Sequence, residues 1–278
     1  MIHETINIDV PYEKYSCKKS GSTATLTTYI LRDWLNHDIV RMRPAVLICP
    51  GGGYTHVSER EAEPVALQYN AMGFHAFVLN YSIAPDCYPA QLLEVAKAVA
   101  IIRENADKWH INRDKIVVSG FSAGGHLAAL LGVSWNKKRL AEDLNVSNEQ
   151  IKVNGLLLCY PVITSGEFAH RGSFESLLGD RYSELVDKMS IEHAVSKDTP
   201  STFLWHTMTD ETVPVENSLM FVSACHKNGV SVEAHLFPNG IHGMSLCNEE
   251  TSVKPDKSDI AEECQIWIQL AGKWIGNL

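Results

Sequence analysis

The sequence of 278 residues predicts an α/β fold with a mostly parallel central sheet and helices on both of its faces. Apolar runs rich in β-forming residues alternate with segments of helical pattern over most of the chain, which is typical of parallel strands joined by helical crossovers. The apolar runs are nearly continuous, and this suits strands that are covered on both faces. A chain of this length can form one large α/β domain, so we expect a single domain over residues 1–278.

The predicted elements follow one another along the chain in this alternation. The inner strands are expected at residues 45–49, 75–80, 116–120, 154–159, 202–206 and 232–237. Helices are expected at residues 59–72, 89–108, 123–135, 215–228 and 258–274. Pro89 suits a first helical turn, and Gly73 and Gly229 suit helix ends. In the first forty residues, the stretches 23–27 and 29–31 are expected to form an antiparallel hairpin at the sheet edge.

Residues 163–199 interrupt the alternation because they are polar and irregular. A long excursion inside a compact domain is usually functional and less often a disordered insert. We therefore expect this segment to form a small cap or lid.

Composition and charge exclude several classes of function. The chain has 24 Lys and Arg against 33 Asp and Glu, a net charge of −9, which argues against binding to a nucleic acid backbone. No apolar stretch is long enough to span a bilayer, and the amino terminus lacks the pattern of a signal peptide. The seven cysteines are scattered and several lie in apolar runs, as expected for buried free thiols. We expect a cytoplasmic protein without a membrane partner, and homo-oligomer formation stays open.

The sharpest local signal is a G-x-S-x-G motif around Ser122, which lies between a β run and a helical run. Gly120 and Gly124 flank the serine, as a sharp strand-to-helix turn requires. Such a turn exposes the serine hydroxyl above the carboxyl edge of the sheet, at a helix N-terminus that favours developing negative charge. Ser122 is therefore the candidate nucleophile, and a glycine-rich turn with an incidental serine is the alternative.

A glycine-rich loop follows an earlier predicted strand, at residues 50–54. Glycines let backbone N–H groups approach a substrate oxygen, so Gly52 and Gly53, together with the amide of Ala123, are the expected oxyanion donors. A phosphate-binding loop is the rival interpretation, but the Lys and the following Ser or Thr of such a loop are missing here. A plain tight turn is the other alternative.

A nucleophilic serine needs a general base and a carboxylate that orients the base. Asp210 follows the strand predicted at 202–206, and His242 lies between glycines after the strand predicted at 232–237. Together with Ser122 they stand in the chain order Ser, acid, His that this type of fold uses. Glu211 is the alternative acid, although the first carboxylate of the loop is preferred.

The other histidines considered are expected to be structural. His126 lies in the helix after the nucleophile, and His206 and His235 fall within strands. The spacing from His206 to Asp210 could also hint at a metal pair, but no second His or Cys cluster is close in sequence, so no metal site is expected.

A small acyl pocket is the last part of the site that the sequence suggests. Tyr54, Pro161 and Val213 follow strand ends or the glycine loop and are candidates for its walls. Packing in the core is an equally good interpretation of all three.

The sequence resembles the α/β-hydrolase fold, and within it the small serine esterases similar to bacterial carbohydrate acetyl esterases, including acetyl xylan esterases and their feruloyl-esterase relatives. The resemblance spans roughly residues 40–275 and is carried by the segments CPGGGY at 49–54, NYSIAP at 80–85, GFSAGGHLAA at 120–129, HTMTDETVP at 206–214 and GIHG at 240–243. Pro50 departs from the wider lipase-like pattern, in which many relatives carry His before the glycines. The expected oxyanion donors are main-chain groups, so this departure weakens only an assignment to the hormone-sensitive-lipase-like branch.

The resemblance implies a cofactor-free serine esterase that acts on short acyl esters, often acetyl groups on sugars. The expected substrate is a small acylated carbohydrate. An aryl formamidase-like amidase or a general short-chain carboxylesterase would share the same catalytic residues, whereas a peptidase is less favoured because no additional filtering domain is present. A non-catalytic binding protein of this fold is the alternative from another class, and the presence of Ser122, Asp210 and His242 argues against it.

Overall fold

The computed structural model describes residues 1–33 and 40–278, in which eight strands form a single sheet. The strands are β1 Thr5–Asn7, β2 Thr25–Tyr29, β3 Arg43–Cys49, β4 His75–Asn80, β5 Ile111–Phe121, β6 Gly155–Cys159, β7 Ser201–Thr207 and β8 Val232–Phe237. Their order across the sheet is β1-β2-β4-β3-β5-β6-β7-β8. Strand β2 is antiparallel to both of its neighbours, and all other neighbouring strands are parallel. The predicted α/β-hydrolase fold is confirmed.

Ten α-helices lie in the described residues and cover both faces of the sheet. They are α1 Glu63–Ala71, α2 Ala90–Glu104, α3 Ala106–Trp109, α4 Ala123–Gly132, α5 Lys138–Asp143, α6 Asn148–Ile151, α7 Arg171–Leu178, α8 Tyr182–Leu185, α9 Glu216–Lys227 and α10 Trp267–Asn277. None of the helices in these ranges is long and apolar enough to cross a membrane.

Two large hydrophobic clusters form most of the core in the described residues, one on each face of the sheet. Successive side chains of β3 alternate between them, since Ala45 and Leu47 belong to one cluster while Val46 and Ile48 belong to the other. Helices α2, α4 and α9 pack on the first face, and α1 and α10 pack on the second. All seven cysteines lie in the described residues, and each is buried with a free thiol.

Two predictions about the sheet edges are wrong in detail. Strand β8, expected as an inner strand, pairs only with β7 at one edge and exposes several of its residues. The stretches 23–27 and 29–31 do not pair with each other, because both follow one extended course that includes β2, and Ile30 bridges to Ile2. The antiparallel partner of β2 is β1, so an antiparallel pair lies at this edge of the sheet as expected, but between other segments.

The helix predicted at 258–274 begins later and ends later, as α10. The residues before it are held in a turn by Asp259, whose carboxylate accepts hydrogen bonds from the Ser252 hydroxyl at 2.6 Å and the Val253 N–H at 2.7 Å. The helix predicted at 59–72 likewise divides into a short 3₁₀ turn, Glu59–Glu61, and α1. The helix predicted at 89–108 corresponds to α2 and α3.

Residues 163–199 contain helices α7 and α8 and several 3₁₀ turns, so this segment is more regular than its sequence indicated. Its apolar side chains, among them Phe174 and Leu177, are buried in the main core. Asn217 of α9 holds the start of the segment, because its side-chain oxygen accepts the backbone N–H groups of Ile163 at 2.9 Å and Thr164 at 3.0 Å.

The packing of α10 gives a stability prediction. Trp267 is fully buried, stacks on Trp205 with 5.3 Å between ring centroids, and donates its indole N–H to the Ser245 carbonyl at 3.0 Å. Trp267→Ala is expected to lower the free energy of unfolding by about 3–5 kcal/mol, because a large cavity opens in the core. Urea unfolding followed by circular dichroism measures this loss. Ile266→Ala, at the exposed neighbouring position, is the matched control and should cost less than about 1 kcal/mol.

Candidate active site

Ser122 lies in the turn between β5 and α4, in a strained backbone conformation. Its φ is +52° and its ψ is −118°, a region that a residue with a side chain adopts at a cost of about 1–3 kcal/mol. Backbone hydrogen bonds hold this conformation, because the Ser122 N–H donates to the Cys159 carbonyl and the Ser122 carbonyl accepts the Val162 N–H, each at 3.0 Å. The turn places the hydroxyl at the carboxyl edge of the sheet, as the motif predicts.

The two flanking glycines are required by close backbone contacts. A Cβ atom at Gly120 would overlap the Gly124 carbonyl oxygen, and one at Gly124 would overlap the carbonyl oxygen of Cys49, the last residue of β3. Helix α4 therefore begins in direct contact with the end of β3. This contact sets the serine turn against the glycine loop that follows β3.

Ser122, His242 and Asp210 form a hydrogen-bonded chain. The His242 Nε2 atom lies 2.7 Å from the Ser122 Oγ atom, and the His242 Nδ1 atom lies 2.6 Å from the Asp210 Oδ2 atom. A carboxylate can only accept, so Nδ1 carries the proton that is donated to Asp210 and Nε2 accepts the Ser122 hydroxyl proton. Asp210 follows β7 and His242 follows β8, so the structure brings together the three residues that the sequence singled out.

Asp210 is a buried carboxylate with several donors. Its Oδ1 atom accepts the backbone N–H groups of Thr212 and Val213, both at 2.9 Å, and its Oδ2 atom accepts from His206 as well as from His242. Burial by itself raises the pKa of Asp210, but the hydrogen bonds from the two histidines and the backbone outweigh it and hold this pKa well below its usual range. Asp210 is therefore ionised at neutral pH.

His206 also binds the carboxylate of Asp210, a specific role that the sequence did not predict. Its Nε2 atom lies 3.1 Å from both the Asp210 carboxylate and the Val213 carbonyl, which are acceptors, so Nε2 carries the proton. Its Nδ1 atom then accepts the hydroxyl proton of Ser218 at 2.7 Å. His206 is a second donor to Asp210, whereas Glu211, the alternative acid, is exposed.

The glycine loop lies against the serine turn. A Cβ atom at Gly51 would lie 3.0 Å from the Cβ atom of Ser122. Gly52 and Gly53 have φ values of +120° and +61°, and within the described residues their N–H groups have no acceptor. Ala123 is the first residue of α4, where the N–H has no partner within the helix. These are the three N–H groups that the sequence predicts as oxyanion donors, and none of them has an acceptor within the described residues.

A buried carboxylate that the sequence did not single out connects this loop to the histidine loop. Glu61 accepts the Gly51 N–H at 2.7 Å through one oxygen and the Tyr160 hydroxyl at 2.7 Å through the other. The Tyr160 hydroxyl in turn accepts the backbone N–H of Ser245 at 2.9 Å, and the Tyr160 ring meets the His242 ring edge-on with 5.1 Å between centroids. One carboxylate and one phenol thus set the relative positions of both loops.

Tyr54, Pro161 and Val213, the candidates for an acyl pocket, all lie in the protein interior. The Tyr54 hydroxyl donates to the Nδ1 atom of His126 at 2.9 Å, while the His126 Nε2–H donates to the Met189 carbonyl at 3.1 Å. Burial lowers the pKa of His126 to about 4, so this histidine is neutral and structural. Tyr54 therefore supports the glycine loop from beneath.

The segment at 163–199 approaches the site from the other side. The His170 Nδ1 atom is hydrogen bonded to the Ser173 hydroxyl at 2.8 Å, and that hydroxyl oxygen lies 3.8 Å from where a Cβ atom at Gly53 would be. Burial and the nearby His242 lower the pKa of His170. Two polar side chains of this segment therefore lie close to the glycine loop and the histidine loop.

Comparisons with known proteins agree with this geometry. The BD-FAE family matches residues 34–225. An endo-1,4-beta-xylanase B of Butyrivibrio fibrisolvens is 35% identical over 224 residues, which are 78% of this chain and 35% of that protein. An acetylxylan esterase of Xylanibacter ruminicola is 30% identical over 209 residues, which are 73% of this chain and 41% of that protein. The chain thus spans well under half the length of these two curated relatives.

Solved structures match over nearly the whole chain. An acetyl ester-xyloside bifunctional hydrolase from Caldicellulosiruptor lactoaceticus is 38% identical with a TM-score of 0.83, and the match covers 99% of this chain and 96% of that one. A carboxylesterase from Lactobacillus plantarum is 28% identical with a TM-score of 0.85, and the match covers 100% of this chain and 98% of that one.

The contacts of Tyr160 give a second stability prediction. Tyr160→Phe removes the hydroxyl that joins Glu61 to Ser245, leaving one carboxylate oxygen and one N–H buried without partners. The free energy of unfolding should fall by about 1–3 kcal/mol, measured by urea denaturation. Tyr182→Phe is the control, because the Tyr182 hydroxyl has no hydrogen bond within the described ranges. Equal stability of the two variants would contradict the structural role of Tyr160.

Proposed function

The chain belongs to the BD-FAE family, and from this premise we propose that it is a serine esterase that hydrolyses short acyl esters, above all acetyl esters, of carbohydrates. The observation that carries the proposal is the hydrogen-bonded chain from Ser122 through His242 to Asp210. It lies beside three backbone N–H groups without protein acceptors in the described residues. This is the set of groups that acyl transfer needs.

In the proposed reaction, the Ser122 oxygen attacks the ester carbonyl carbon while His242 Nε2 takes the hydroxyl proton. The carbonyl π electrons move to oxygen, and the N–H groups of Gly52, Gly53 and Ala123 stabilise the resulting oxyanion. Collapse of this intermediate breaks the ester bond. The protonated His242 donates its proton to the departing alkoxide, which leaves as the alcohol, and an acyl group stays on Ser122.

Water completes the cycle by the same route. His242 removes a proton from a water molecule, the hydroxide attacks the acyl carbon, and the proton returns to the Ser122 oxygen as the acid leaves. Asp210 fixes the orientation of the imidazole and stabilises its protonated form in both halves of the reaction. Its two backbone donors and His206 keep the carboxylate ionised and in place.

The substrate class is inferred from the relatives and from the limited access to the nucleophile. The names of two relatives refer to acetyl esters and xylan or xylosides, and a structural neighbour is a carboxylesterase. Ser122 is only 8% exposed, which favours a small acyl group. We propose that an acetyl group fills this space and that the alcohol is a sugar hydroxyl.

We also propose that residues 163–199 serve as a cap over this site within a single domain of residues 1–278. His170 and Ser173 bring this segment next to the glycine loop, and Asn217 fixes its base. A cap that excludes bulk water strengthens the electrostatic interactions around the oxyanion.

The first functional prediction concerns the nucleophile. Ser122→Ala should lower kcat/KM for p-nitrophenyl acetate by about 10⁴-fold or more, because no covalent intermediate can form. Ser223→Ala, at an exposed position on α9, is the control and should keep wild-type turnover. With the wild type, turnover should fall steeply from acetate to octanoate esters.

Other results would select a different function. Preference for long-chain esters would indicate a general carboxylesterase, and faster turnover of p-nitroacetanilide than of the acetate ester would indicate an amidase. Activity retained in Ser122→Ala would refute the nucleophile assignment.

The second functional prediction separates the two neighbouring carboxylates. Asp210→Asn should lower kcat on the order of 10⁴-fold, because the imidazole loses its charged partner and its tautomer. Glu211→Gln, one residue further along the chain and exposed, should change kcat less than twofold in the same p-nitrophenyl acetate assay. A larger loss in Glu211→Gln than in Asp210→Asn would reverse the assignment.

A further inference from the structure

A half-open cleft of about 440 Å³ lies beside the glycine loop, on the side away from His242. Residues from the stretches 20–24 and 80–84 line it, together with His56 and Val57. We propose that this cleft is a subsite that binds the carbohydrate chain of the ester substrate beyond the esterified sugar. The inference rests on the proposed esterase function and adds to it the place where the sugar chain binds.

The position of the cleft follows from the sheet order. Asn80 ends β4, which neighbours β3, and β3 neighbours β5, which leads into Ser122. Adjacent strands are about 4.8 Å apart, so Asn80 lies roughly 10 Å across the sheet from the serine turn, at the same carboxyl edge. An oligosaccharide whose ester is bound at Ser122 can reach this distance.

The cleft walls are joined directly to the glycine loop. The Ala84 N–H donates to the Tyr54 carbonyl at 2.8 Å, and the Tyr81 hydroxyl donates to the Pro50 carbonyl at 2.6 Å. The His56 N–H donates to the Gly52 carbonyl at 3.2 Å. A ligand in the cleft therefore rests on the same backbone that carries the oxyanion donors.

The lining chemistry fits a neutral, polyhydroxylated ligand. Hydroxyls, one amide and one imidazole alternate with small aliphatic surfaces, and no Asp, Glu, Lys or Arg is among the lining residues. The exposed polar groups of the lining are the hydroxyls of Ser22 and Thr23, the amide of Asn80 and the imidazole of His56. Such groups can exchange hydrogen bonds with sugar hydroxyls, while Val57 and Ile83 offer apolar surface to the C–H faces of a ring. Two other clefts are less suitable because charged side chains line them, among them Glu262 and Glu263 in one and Arg139 and Arg181 in the other.

The amino-terminal wall of the cleft is held rigidly by a buried ion pair. The Asp86 carboxylate accepts the N–H groups of Lys19 at 2.6 Å and Ser20 at 2.7 Å, and it pairs with the Lys18 ammonium at 2.7 Å. Burial by itself raises the pKa of Asp86, but Lys18 and the Ser20 hydroxyl outweigh it and lower this pKa to about 2. The carboxylate stays charged, and the wall is positioned before any ligand binds.

The floor of the cleft is also held by hydrogen bonds to a buried carboxylate. Glu94 of α2 is buried and accepts the Ser82 N–H at 2.7 Å and the Tyr12 hydroxyl at 2.8 Å. Gln91, one turn earlier, donates to the Ser82 carbonyl at 3.0 Å. These contacts fix the cleft floor before a ligand binds, and a preorganised site loses less conformational entropy on binding.

Two cleft variants and one matched control test the subsite. Ser22→Trp fills the cleft from an exposed position, Asn80→Ala removes the exposed amide, and Ser223→Trp places the same bulky side chain on α9. For each, kcat/KM is measured on acetylated xylotetraose and on p-nitrophenyl acetate, and urea midpoints check the fold. The ratio of the first value to the second should fall about fivefold in Asn80→Ala, and about tenfold or more in Ser22→Trp. Ser223→Trp should leave this ratio unchanged.

Binding of unacetylated xylotetraose, followed by calorimetry, separates this inference from the proposed function. Binding to the wild type that weakens in both cleft variants supports the subsite. Turnover of p-nitrophenyl acetate without xylotetraose binding, or with equal ratios in all variants, overturns the subsite and leaves the esterase proposal standing. Absence of all ester turnover overturns the esterase proposal instead.

Discussion

The close contact between the start of α4 and the end of β3 is the constraint on which the site depends. Gly124 lies against the Cys49 carbonyl with no room for a side chain, and Gly120 lies as closely against Gly124. This contact bends the chain sharply enough to hold Ser122 at positive φ and brings the glycine loop beside it. Ser122 and the backbone of the glycine loop are thus positioned by backbone packing, which rotamer changes do not disturb.

Buried polar contacts connect this rigid centre to the more distant loops. Glu61 and Tyr160 link the glycine loop to the loop that carries His242, and Asp210 collects donors from His206 and the backbone. Buried carboxylates are costly unless their oxygens are satisfied, and here each has partners with good geometry. Behind the cleft, Asp86 and Glu94 are likewise buried carboxylates whose oxygens accept backbone N–H groups. A set of satisfied carboxylates therefore fixes the loops above the carboxyl edge of the sheet.

The predictions for the sheet were most accurate where local pattern and burial agree. Strands β3, β4, β6 and β7 begin and end within two residues of the predicted bounds, whereas β5 begins five residues earlier, through the polar stretch before Ile116. The run of β8 contains Glu233 and His235 and is less buried than the inner strands, so its own residues already indicate an edge strand. The pairing of β2 with β1 is different, since pairing between segments distant in sequence leaves no local signal.

The residues of the site fall into two groups: those that the sequence predicts and those whose role only the structure shows. The sequence by itself determined the fold class, the serine turn, the glycine loop and the order of Ser122, Asp210 and His242, because glycine spacing and strand ends constrain the backbone locally. Only the tertiary structure decided that Glu61, Tyr160 and His206 support these groups and that the acyl-pocket candidates are buried. A hydrogen bond between residues a hundred positions apart, as from Tyr160 to Glu61, depends on how strands and loops assemble, and no local pattern of residues records it.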